Sequence, residues 1–181
     1  EAGDKIAQKE NISFIKGQVP KGNIIKIHPS IIKQEIDGIG SSFTESSAFV
    51  LKKKKKKKRA EVMEKIFSET GANFSLTRTH IGSCDFCVEG KYSYLDKKGD
   101  TKLKSFSIDP DKKGFDSKKY FGIQDPSYDL LPMLQEALEI KNKQKDNELR
   151  IIASAWTAPA WMKDIEDWFI QGTPENNHQG T

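Results

Sequence analysis

The chain has 181 residues, of which 30 are Lys or Arg and 26 are Asp or Glu, and its formal net charge is +4 at pH 7. The run from Lys52 to Arg59 alone contributes +8, so the rest of the chain carries −4 (+4 less +8). A nucleic-acid-binding domain spreads its cations over a face that follows the phosphates, with aromatic or amide side chains among them. The charge distribution therefore disfavours nucleic acid as a partner, and a block of like charge is more typical of a solvated segment.

The chain opens with EAGDKIAQKE, which has neither an initiator Met nor the apolar core of a signal peptide. No later stretch is apolar over the length of a membrane span, and we expect no transmembrane segment. Export stays open, because a signal peptide can be removed before the first residue of a mature chain. The two cysteines, Cys84 and Cys87, lie too close in sequence to clamp a long loop, and they indicate no redox compartment.

Residues 11 to 40 contain short apolar pairs separated by Gly and Pro, a pattern that predicts brief strands and turns. The following segment, TESSAFVL, predicts the start of a helix with Thr44 or Ser42 as its cap. After the lysines, three apolar residues at helical spacing predict a second helical piece that ends before Gly71: Val62, Met63 and Ile66. The lysine run is expected to interrupt or join these two pieces.

The segment from Ala72 to Ser83 is rich in β-branched and aromatic residues and predicts a strand that ends in a loop. Residues 91 to 120 are polar and are predicted to be loop. A helix is predicted next, with Asp125 as its cap and Pro126 at its first position. Its apolar face is predicted to consist of Leu130, Leu134 and Leu138.

The short apolar run LRIIASAW is typical of a strand that is buried on both sides. With this run the order becomes strand, helix, strand, helix, strand, which predicts a parallel α/β architecture. The last segment, DWFIQGTPENNHQGT, predicts a loop. Because a domain rarely stops after a buried strand without a covering helix, we expect the chain to be part of a longer protein.

The segment HIGSCDFC holds three residues that could bind a soft metal, His80, Cys84 and Cys87. A structural zinc site needs a fourth ligand, and neither His28 nor His178 has a spacing that supplies one. We therefore prefer buried thiols beside a strand end over a metal site or a redox pair.

Two kinds of residue follow predicted strands, where rigid backbone holds side chains at the mouth of a parallel sheet. Asp85 suits either a site residue or a turn aspartate at such a position. Trp156 follows the third strand, and an exposed indole on a stiff loop suits the C–H faces of a sugar. Packing is favoured for Trp161 and Trp168. Spacing singles out no pair of carboxylates for acid and base catalysis.

Three stretches, in this order, resemble glycoside hydrolase family 30, the glucosylceramidase-like group that also includes β-1,6-glucanases: QEIDGIGSSFTESSAFVL, LTRTHIGSCDFCVEGKYSY and IIASAWTAPAWMK. The likeness runs from about Gln34 to the C-terminus. It implies an α/β fold, the N-terminal part of a (β/α)8 TIM barrel, with residues 1 to 33 as a strand segment of a flanking β-sandwich. Residues 34 to 181 would then form the first three β/α units of an incomplete barrel.

The resemblance also implies a retaining mechanism, in which one glutamate attacks the anomeric carbon and another protonates the leaving oxygen. The family places these glutamates after strands four and seven, so both are expected beyond Thr181 and no catalytic residue is expected in this chain. By the resemblance, Arg78 matches the family arginine that supports the nucleophile. Asp85 and Trp156 match the family residues that bind the glycone. Ala155 stands where the family has the proline of its Ser-Pro-Trp motif.

The function implied for the whole protein is hydrolysis of β-glucosidic bonds, with glucosylceramide-type substrates and β-1,6-glucan both open. The resemblance implies no cofactor and no metal, and it implies a secreted, periplasmic or cell-surface location. A non-catalytic carbohydrate-binding or interaction module is the alternative, and nucleic-acid binding through the lysine run is less favoured. The oligomeric state is not indicated.

By the resemblance, the lysine run of this chain corresponds to the family's linker between strand one and the following helix, outside the barrel. The family commonly has an apolar residue at the position of Lys54. We therefore expect the cations to face solvent and to weaken the helix start, because the helix dipole disfavours positive charge at that end.

Overall fold

The computed structural model describes residues 9–17, 21–88, 91–113, 128–145 and 148–168. The chain divides into two compact units, Glu1–Glu35 and Ile36–Thr181. The described residues of the first unit contain no helix or strand. The assignment of residues 1 to 33 to a β-sandwich therefore stays a prediction.

A three-stranded parallel sheet lies in the second unit. Its strands are β1 (Gly40–Ser42), β2 (Leu76–Ile81) and β3 (Arg150–Ala155), and β2 is the middle strand. Strands β2 and β3 lie inside segments predicted to be strands, whereas β1 begins at the last residue of the segment predicted to be extended, residues 11 to 40. The parallel pairing confirms the predicted α/β architecture.

Helices follow the strands in the predicted alternation. Helices α1 (Glu45–Lys52) and α2 (Lys56–Phe67) lead from β1 to β2, and α3 (Asp109–Lys113) and α4 (Leu130–Lys141) lie between β2 and β3. A 3-10 helix, Ala160–Met162, follows β3. The sequence pattern does not predict α3, because one and a half turns are too short for an apolar periodicity to show. Within the described ranges, no helix combines the length and apolarity that a membrane crossing requires.

The carboxyl ends of the three strands lie at one edge of the sheet, because all three run in the same direction. Ser42 at the end of β1 pairs with Arg78, and Ile81 at the end of β2 pairs with Ala155. Gly40 allows β1 to approach β2, since a Cβ built there would lie 1.5 Å from the carbonyl oxygen of Leu76. This edge is where parallel α/β proteins carry their sites.

The hydrophobic core consists of Phe43 and one face each of α1, α2 and α4. The rings of Phe43 and Phe67 lie 5.0 Å apart, which joins the end of β1 to the end of α2. Of the three residues predicted by helical spacing in α2, Met63 is fully buried, and Val62 and Ile66 pack partly buried against the core. The helical prediction for this segment is therefore confirmed.

Helix α4 begins later than predicted. Its N-cap is Asp129, whose carboxylate accepts a hydrogen bond from the Leu130 amide at 2.7 Å. The prediction of Asp125 as the cap is wrong for this helix, and Asp125 and Pro126 lie outside the described residues. Pro132 falls in the first turn, where a residue without an amide hydrogen leaves no helix hydrogen bond unmade.

The prediction that β3 is buried on both sides is wrong for this chain. Its residues are mostly exposed, with Ile151 at 38% and Ile152 at 50% of their full exposure. The reason is its place in the sheet, since β3 is an edge strand whose only strand neighbour among the described residues is β2.

The lysine run separates α1 from α2, as predicted. Helix α1 ends at Lys52, and α2 begins at Lys56 with Lys55 as an N-cap that makes no side-chain capping hydrogen bond. The first turn of α2 holds no acidic residue. Lysines at the C-terminal end of α1 are favoured by the helix dipole, whereas those at the start of α2 are disfavoured.

Arg59, the last cation of the run, packs against the protein, whereas the run was predicted to face solvent. Its guanidinium carbon lies 3.8 Å from the ring centroid of Tyr128, and its Nε lies 3.4 Å from a carboxylate oxygen of Glu136 in α4. The cation–π contact and the ion pair therefore connect α2 to α4.

We expect Lys55→Ser to stabilise the start of α2 by about 1 kcal/mol, because a serine N-cap accepts a hydrogen bond that lysine cannot. Amide hydrogen exchange in the first turn of α2, measured by NMR, should slow by roughly fivefold. Lys54→Ser is the matched control, since it removes the same charge one residue earlier and supplies no cap. Equal effects of the two substitutions would contradict the capping argument, as would first-turn amides already as protected as the middle of α2.

Candidate functional site

A cavity of about 260 Å³ opens at the carboxyl edge of the sheet. It brings together residues of β1 and β2 and residues that follow each of the three strands. Among the residues that line it are Ser42, Thr44, Arg78, His80, Phe86 and Trp156. Two of the three predicted site residues, Arg78 and Trp156, are thus neighbours in one cavity.

Arg78 is held against Trp156 by two contacts. Its guanidinium carbon lies 5.3 Å from the centroid of the indole ring, within the range of a cation–π interaction. Its Nε donates a hydrogen bond to Oγ of Ser154 on β3 at 3.3 Å. Arg78 is exposed and lines the cavity.

Trp156 is exposed to 42%, as predicted for a residue that can contact a ligand. The ring of Phe86 meets it edge to face, with ring centroids 6.4 Å apart and an interplanar angle of 74°. Phe86 and Arg78 together fix the orientation of the indole. Trp161 differs, because it is half-buried and its indole N–H donates to the carbonyl oxygen of Leu95 at 2.7 Å.

Asp85 lies in the loop that follows β2, next to Phe86. Its side chain is exposed, and it is not among the residues that line the cavity. In the part of the chain that the structure describes, its carboxylate makes no hydrogen bond. Among the described residues, the structure thus brings Arg78 and Trp156 together, and it leaves Asp85 outside the cavity lining, one residue before Phe86.

His80 is a neutral histidine next to this loop, and both of its ring nitrogens make hydrogen bonds. Its Nε2 accepts a hydrogen bond from the Glu45 amide at 3.0 Å, and its Nδ1–H donates to the carbonyl oxygen of Gly82 at 2.6 Å. Burial lowers the pKa of His80 below its ordinary value, and the negative charge of Asp111 opposes this only in part. The tautomer that carries its proton on Nδ1 satisfies both partners.

Glu45, the first residue of α1, joins that helix to the loop after β2. Its buried carboxylate accepts a hydrogen bond from the Val88 amide at 2.6 Å. The next residue, Ser46, donates its amide hydrogen to the carbonyl oxygen of Phe86 at 3.2 Å. These bonds hold the segment that carries Asp85 and Phe86 against the start of α1.

A buried carboxylate with two tyrosines lies next to this loop. Tyr92 donates its hydroxyl hydrogen to Oδ1 of Asp111 at 2.5 Å, and Tyr94 donates to Oδ2. Burial raises the pKa of Asp111, and the two tyrosine hydrogen bonds and His80 counteract this. Burial also raises the pKa values of Tyr92 and Tyr94, with the Asp111 charge as the next cause.

Sequence reasoning does not identify Glu45 or Asp111 as buried site residues. Glu45 looks like an ordinary first-turn acid, and Asp111 lies in a polar stretch predicted to be loop. The available signal is the alternation of Tyr92 and Tyr94, which turns two phenols toward a common partner. Nothing in the local pattern names Asp111 as that partner.

The three residues weighed as metal ligands do come together. The potential ligand atoms of His80, Cys84 and Cys87 all lie within 4.8 Å of one another. Both ring nitrogens of His80, however, already have hydrogen-bond partners, so a metal would have to displace one of them. Cys84 is buried, as predicted, and Cys87 is half-buried.

The family model of the glycosyl hydrolase family 30 TIM-barrel domain matches residues 36–180. The lysosomal acid glucosylceramidase of Mus musculus is 24% identical over 142 residues, which are 78% of this chain and 24% of that protein. The endo-1,6-beta-D-glucanase of Neurospora crassa is 29% identical over 150 residues, 83% of this chain and 27% of that protein. The chain thus spans about a quarter of the length of these relatives.

A solved structure of an endo-β1,6-glucanase superimposes on this chain with a TM-score of 0.56 and 30% sequence identity. The match covers 75% of this chain and 25% of the glucanase chain. The three strands and their helices therefore have the arrangement of one part of a TIM barrel.

We expect the free energy of unfolding to fall as the pH is lowered from about 7 to 5, and to fall less in His80→Gln. Folding lowers the pKa of His80 from its ordinary value of 6.5. The contribution of His80 to the free energy of unfolding is therefore complete above pH 6.5 and is lost as the pH falls toward the pKa of the folded state. The free energy of unfolding changes by at most about 1.4 kcal/mol per pH unit from this one group. Glutamine offers an acceptor to the Glu45 amide but does not titrate.

Urea unfolding of both proteins at pH 7, 6 and 5 checks this expectation. Asp111 contributes with the opposite sign, because its raised pKa makes the folded state bind a proton more readily as the pH falls. Since Asp111 is present in both proteins, the difference between their profiles reports mainly on His80. Two parallel profiles would show that the neutral imidazole has no part in the pH dependence.

Proposed function

Because the chain belongs to glycosyl hydrolase family 30, we propose that it supplies the sugar-binding side of the active site in a retaining β-glycosidase. Residues 34 to 181 would be the first three β/α units of its barrel. The observation that carries this proposal is the meeting of Arg78 and Trp156 in one cavity at the carboxyl edge of the sheet. This edge holds the active site in TIM-barrel enzymes.

The chemistry of the whole protein would be a double displacement. One glutamate forms a covalent glycosyl-enzyme intermediate, and the other protonates the leaving oxygen and then activates water. In this proposal both glutamates come from later barrel units, beyond Thr181. The present chain positions the sugar on which they act.

Arg78 is proposed to keep the nucleophile ionised. A fixed cation near a carboxylate lowers its pKa, and an ionised carboxylate is the attacking species. The contacts of Arg78 with Ser154 and Trp156 hold its guanidinium at the cavity. A cation that is already positioned loses little further freedom when substrate binds.

Asp85 and Trp156 are proposed to bind the glycone. A carboxylate accepts charge-assisted hydrogen bonds from sugar hydroxyls, and the Asp85 carboxylate is exposed and carries no hydrogen bond within the described residues. The partly exposed face of Trp156 offers an apolar surface for the C–H groups of the ring. The preset orientation of the indole favours one orientation of the sugar.

The proposed substrates are β-glucosides, with glucosylceramide-type lipids and β-1,6-glucan as the two classes to compare. The likeness to a glucosylceramidase and to endo-1,6-glucanases supports both. A secreted, periplasmic or cell-surface location is proposed with them, because such substrates lie outside the cytosol or on membranes.

A second candidate is a sugar-binding module without catalysis. The cavity is favourable to it, because an exposed indole and a cation already meet there. Sugar-dependent quenching of tryptophan fluorescence without glucose release from any β-glucoside would support this candidate. Measurable hydrolysis by the full-length protein would exclude it.

We expect Asp85→Asn in the full-length protein to lower kcat/KM for an aryl β-glucoside by roughly 10- to 150-fold. This range corresponds to the loss of a hydrogen bond to a charged group, worth about 1.5–3 kcal/mol. Steady-state kinetics on the aryl glucoside, on β-1,6-linked glucose oligomers and on glucosylceramide check the value and compare the substrate classes.

Asp37→Asn is the matched control for this substitution. Asp37 lies before β1, at the opposite edge of the sheet, and forms an exposed ion pair with Arg150 at 2.7 Å. Exposed pairs of this kind contribute little, so its kcat/KM should stay close to the parent value. An Asp85→Asn protein as active as this control would remove Asp85 from the proposed site.

A further inference from the structure

Cys84 and Cys87, the two cysteines of the chain, lie with their sulfur atoms in contact. The two Sγ atoms are 3.5 Å apart, which is a distance between thiols and not a covalent bond. The residues between them are Asp85 and Phe86, which belong to the proposed sugar site. Any change in the bonding of the two sulfurs therefore acts on this segment.

Each sulfur accepts one backbone hydrogen bond at 3.3 Å, Sγ of Cys84 from the Phe86 amide and Sγ of Cys87 from the Cys84 amide. The two sulfurs also lie within hydrogen-bond distance of each other, and this contact acts on them in opposite directions. The donor thiol of Cys87 lowers the pKa of Cys84, while the same contact, followed by burial, raises the pKa of Cys87. Cys84 is therefore the nucleophilic sulfur and Cys87 is the thiol that remains protonated beside it.

The contacts of His80 favour a pair of thiols over a metal centre. Sγ of Cys87 lies 3.5 Å from Nε2 and 3.8 Å from Nδ1, so it sits beside the ring and does not single out one nitrogen. The lone pair of Nε2 points to the Glu45 amide instead. A zinc site would need this lone pair and a fourth ligand.

We propose that Cys84 and Cys87 form a redox modification site, at which a peroxide closes a disulfide that repositions Asp85 and Phe86 beside the sugar. The link to sugar binding rests on the proposed function, whereas formation of the disulfide does not. The oxidant must be small, because Cys84 is only 1% exposed. Hydrogen peroxide meets this requirement, and a bulky disulfide such as oxidised glutathione does not.

The reaction proceeds in two steps. The Cys84 thiolate attacks one oxygen of hydrogen peroxide, the O–O bond breaks, and the products are a sulfenic acid and hydroxide. The Cys87 sulfur then attacks the sulfenic sulfur, and the hydroxyl leaves as water with the proton of the Cys87 thiol. In sum, two thiols give two electrons to one peroxide and form one disulfide and two waters.

The disulfide changes the geometry of the loop. Its sulfurs must approach from 3.5 Å to about 2.05 Å, which pulls on both ends of a four-residue segment. The Phe86 amide then donates to a disulfide sulfur instead of a thiolate, a weaker acceptor. Because Phe86 packs edge-on against Trp156, the shift reaches the indole that lines the sugar cavity.

Treatment of the full-length protein with hydrogen peroxide tests the site. After denaturation, thiol titration of this segment is expected to fall from two thiols to none, and peptide mass spectrometry should show the loss of two hydrogen atoms. Oxidised glutathione, which is too bulky to reach the buried Cys84, should form little or no disulfide over the same time. In Cys87→Ser the reaction should stop at the sulfenic acid, which dimedone traps on Cys84. Ser83→Ala is the matched control, since it removes a buried hydroxyl that has no hydrogen-bond partner among the described residues and keeps both thiols.

Tryptophan emission and the KM for an aryl β-glucoside, measured before and after oxidation, test the link to the sugar cavity. The proposal is supported if oxidation changes KM severalfold and dithiothreitol reverses the change. Ser83→Ala should show the same change, and Cys87→Ser should not. If the protein hydrolyses no glycoside, a reversible change in tryptophan emission still supports the site independently of the proposed function.

Two results would overturn the proposal. The first is oxidation of the parent protein to sulfinic or sulfonic acids without a disulfide, which would show that the two sulfurs cannot join. The second is stoichiometric zinc that protects both thiols from peroxide and is lost in His80→Gln, which would assign the three residues to a metal centre.

Discussion

The attachment of the first turn of α1 to the loop after β2 is the constraint on which the site depends. Glu45 contributes two hydrogen bonds to it, one from its amide to His80 and one from the Val88 amide to its carboxylate. The first is buried and the second part-buried, and a hydrogen bond shielded from water is stronger and its loss more costly. The loop that carries Asp85 therefore takes its position from α1 and β2, two elements that the core or the sheet already fixes.

The regular elements could be predicted from the sequence because their signals are local. Helical spacing in α2, the β-branched and aromatic residues around β2 and the apolar run of β3 all lie within short windows, and the alternation of elements sets their parallel order. The contacts that build the site are not local: Glu45 and His80 are 35 residues apart, and Tyr92 and Asp111 are 19 apart. No periodicity encodes such pairs, so the motifs indicate where the site is but not what holds it.

The start of α4 shows a different limit of sequence reasoning. Two aspartates precede the same apolar face, and either can cap a helix. The proline after Asp125 favours the earlier one, but the structure uses Asp129, whose carboxylate bonds the first helical amide. Asp129 is itself buried, next to the core residues Leu130 and Met133, and the local pattern of the sequence does not show this burial.

The exposure of β3 has a consequence for the way in which Trp156 is held. Ile151 and Ile152 lie on an edge strand and are partly open to solvent, so β3 alone gives the residues after it limited support. The indole is instead oriented from the β2 side, by the guanidinium of Arg78 and the ring of Phe86. Phe86 in turn is tied to α1 through its carbonyl oxygen and the Ser46 amide. The orientation of the sugar-binding tryptophan is thus set by the same attachment that positions Asp85, and the two proposed glycone contacts move together when that attachment changes.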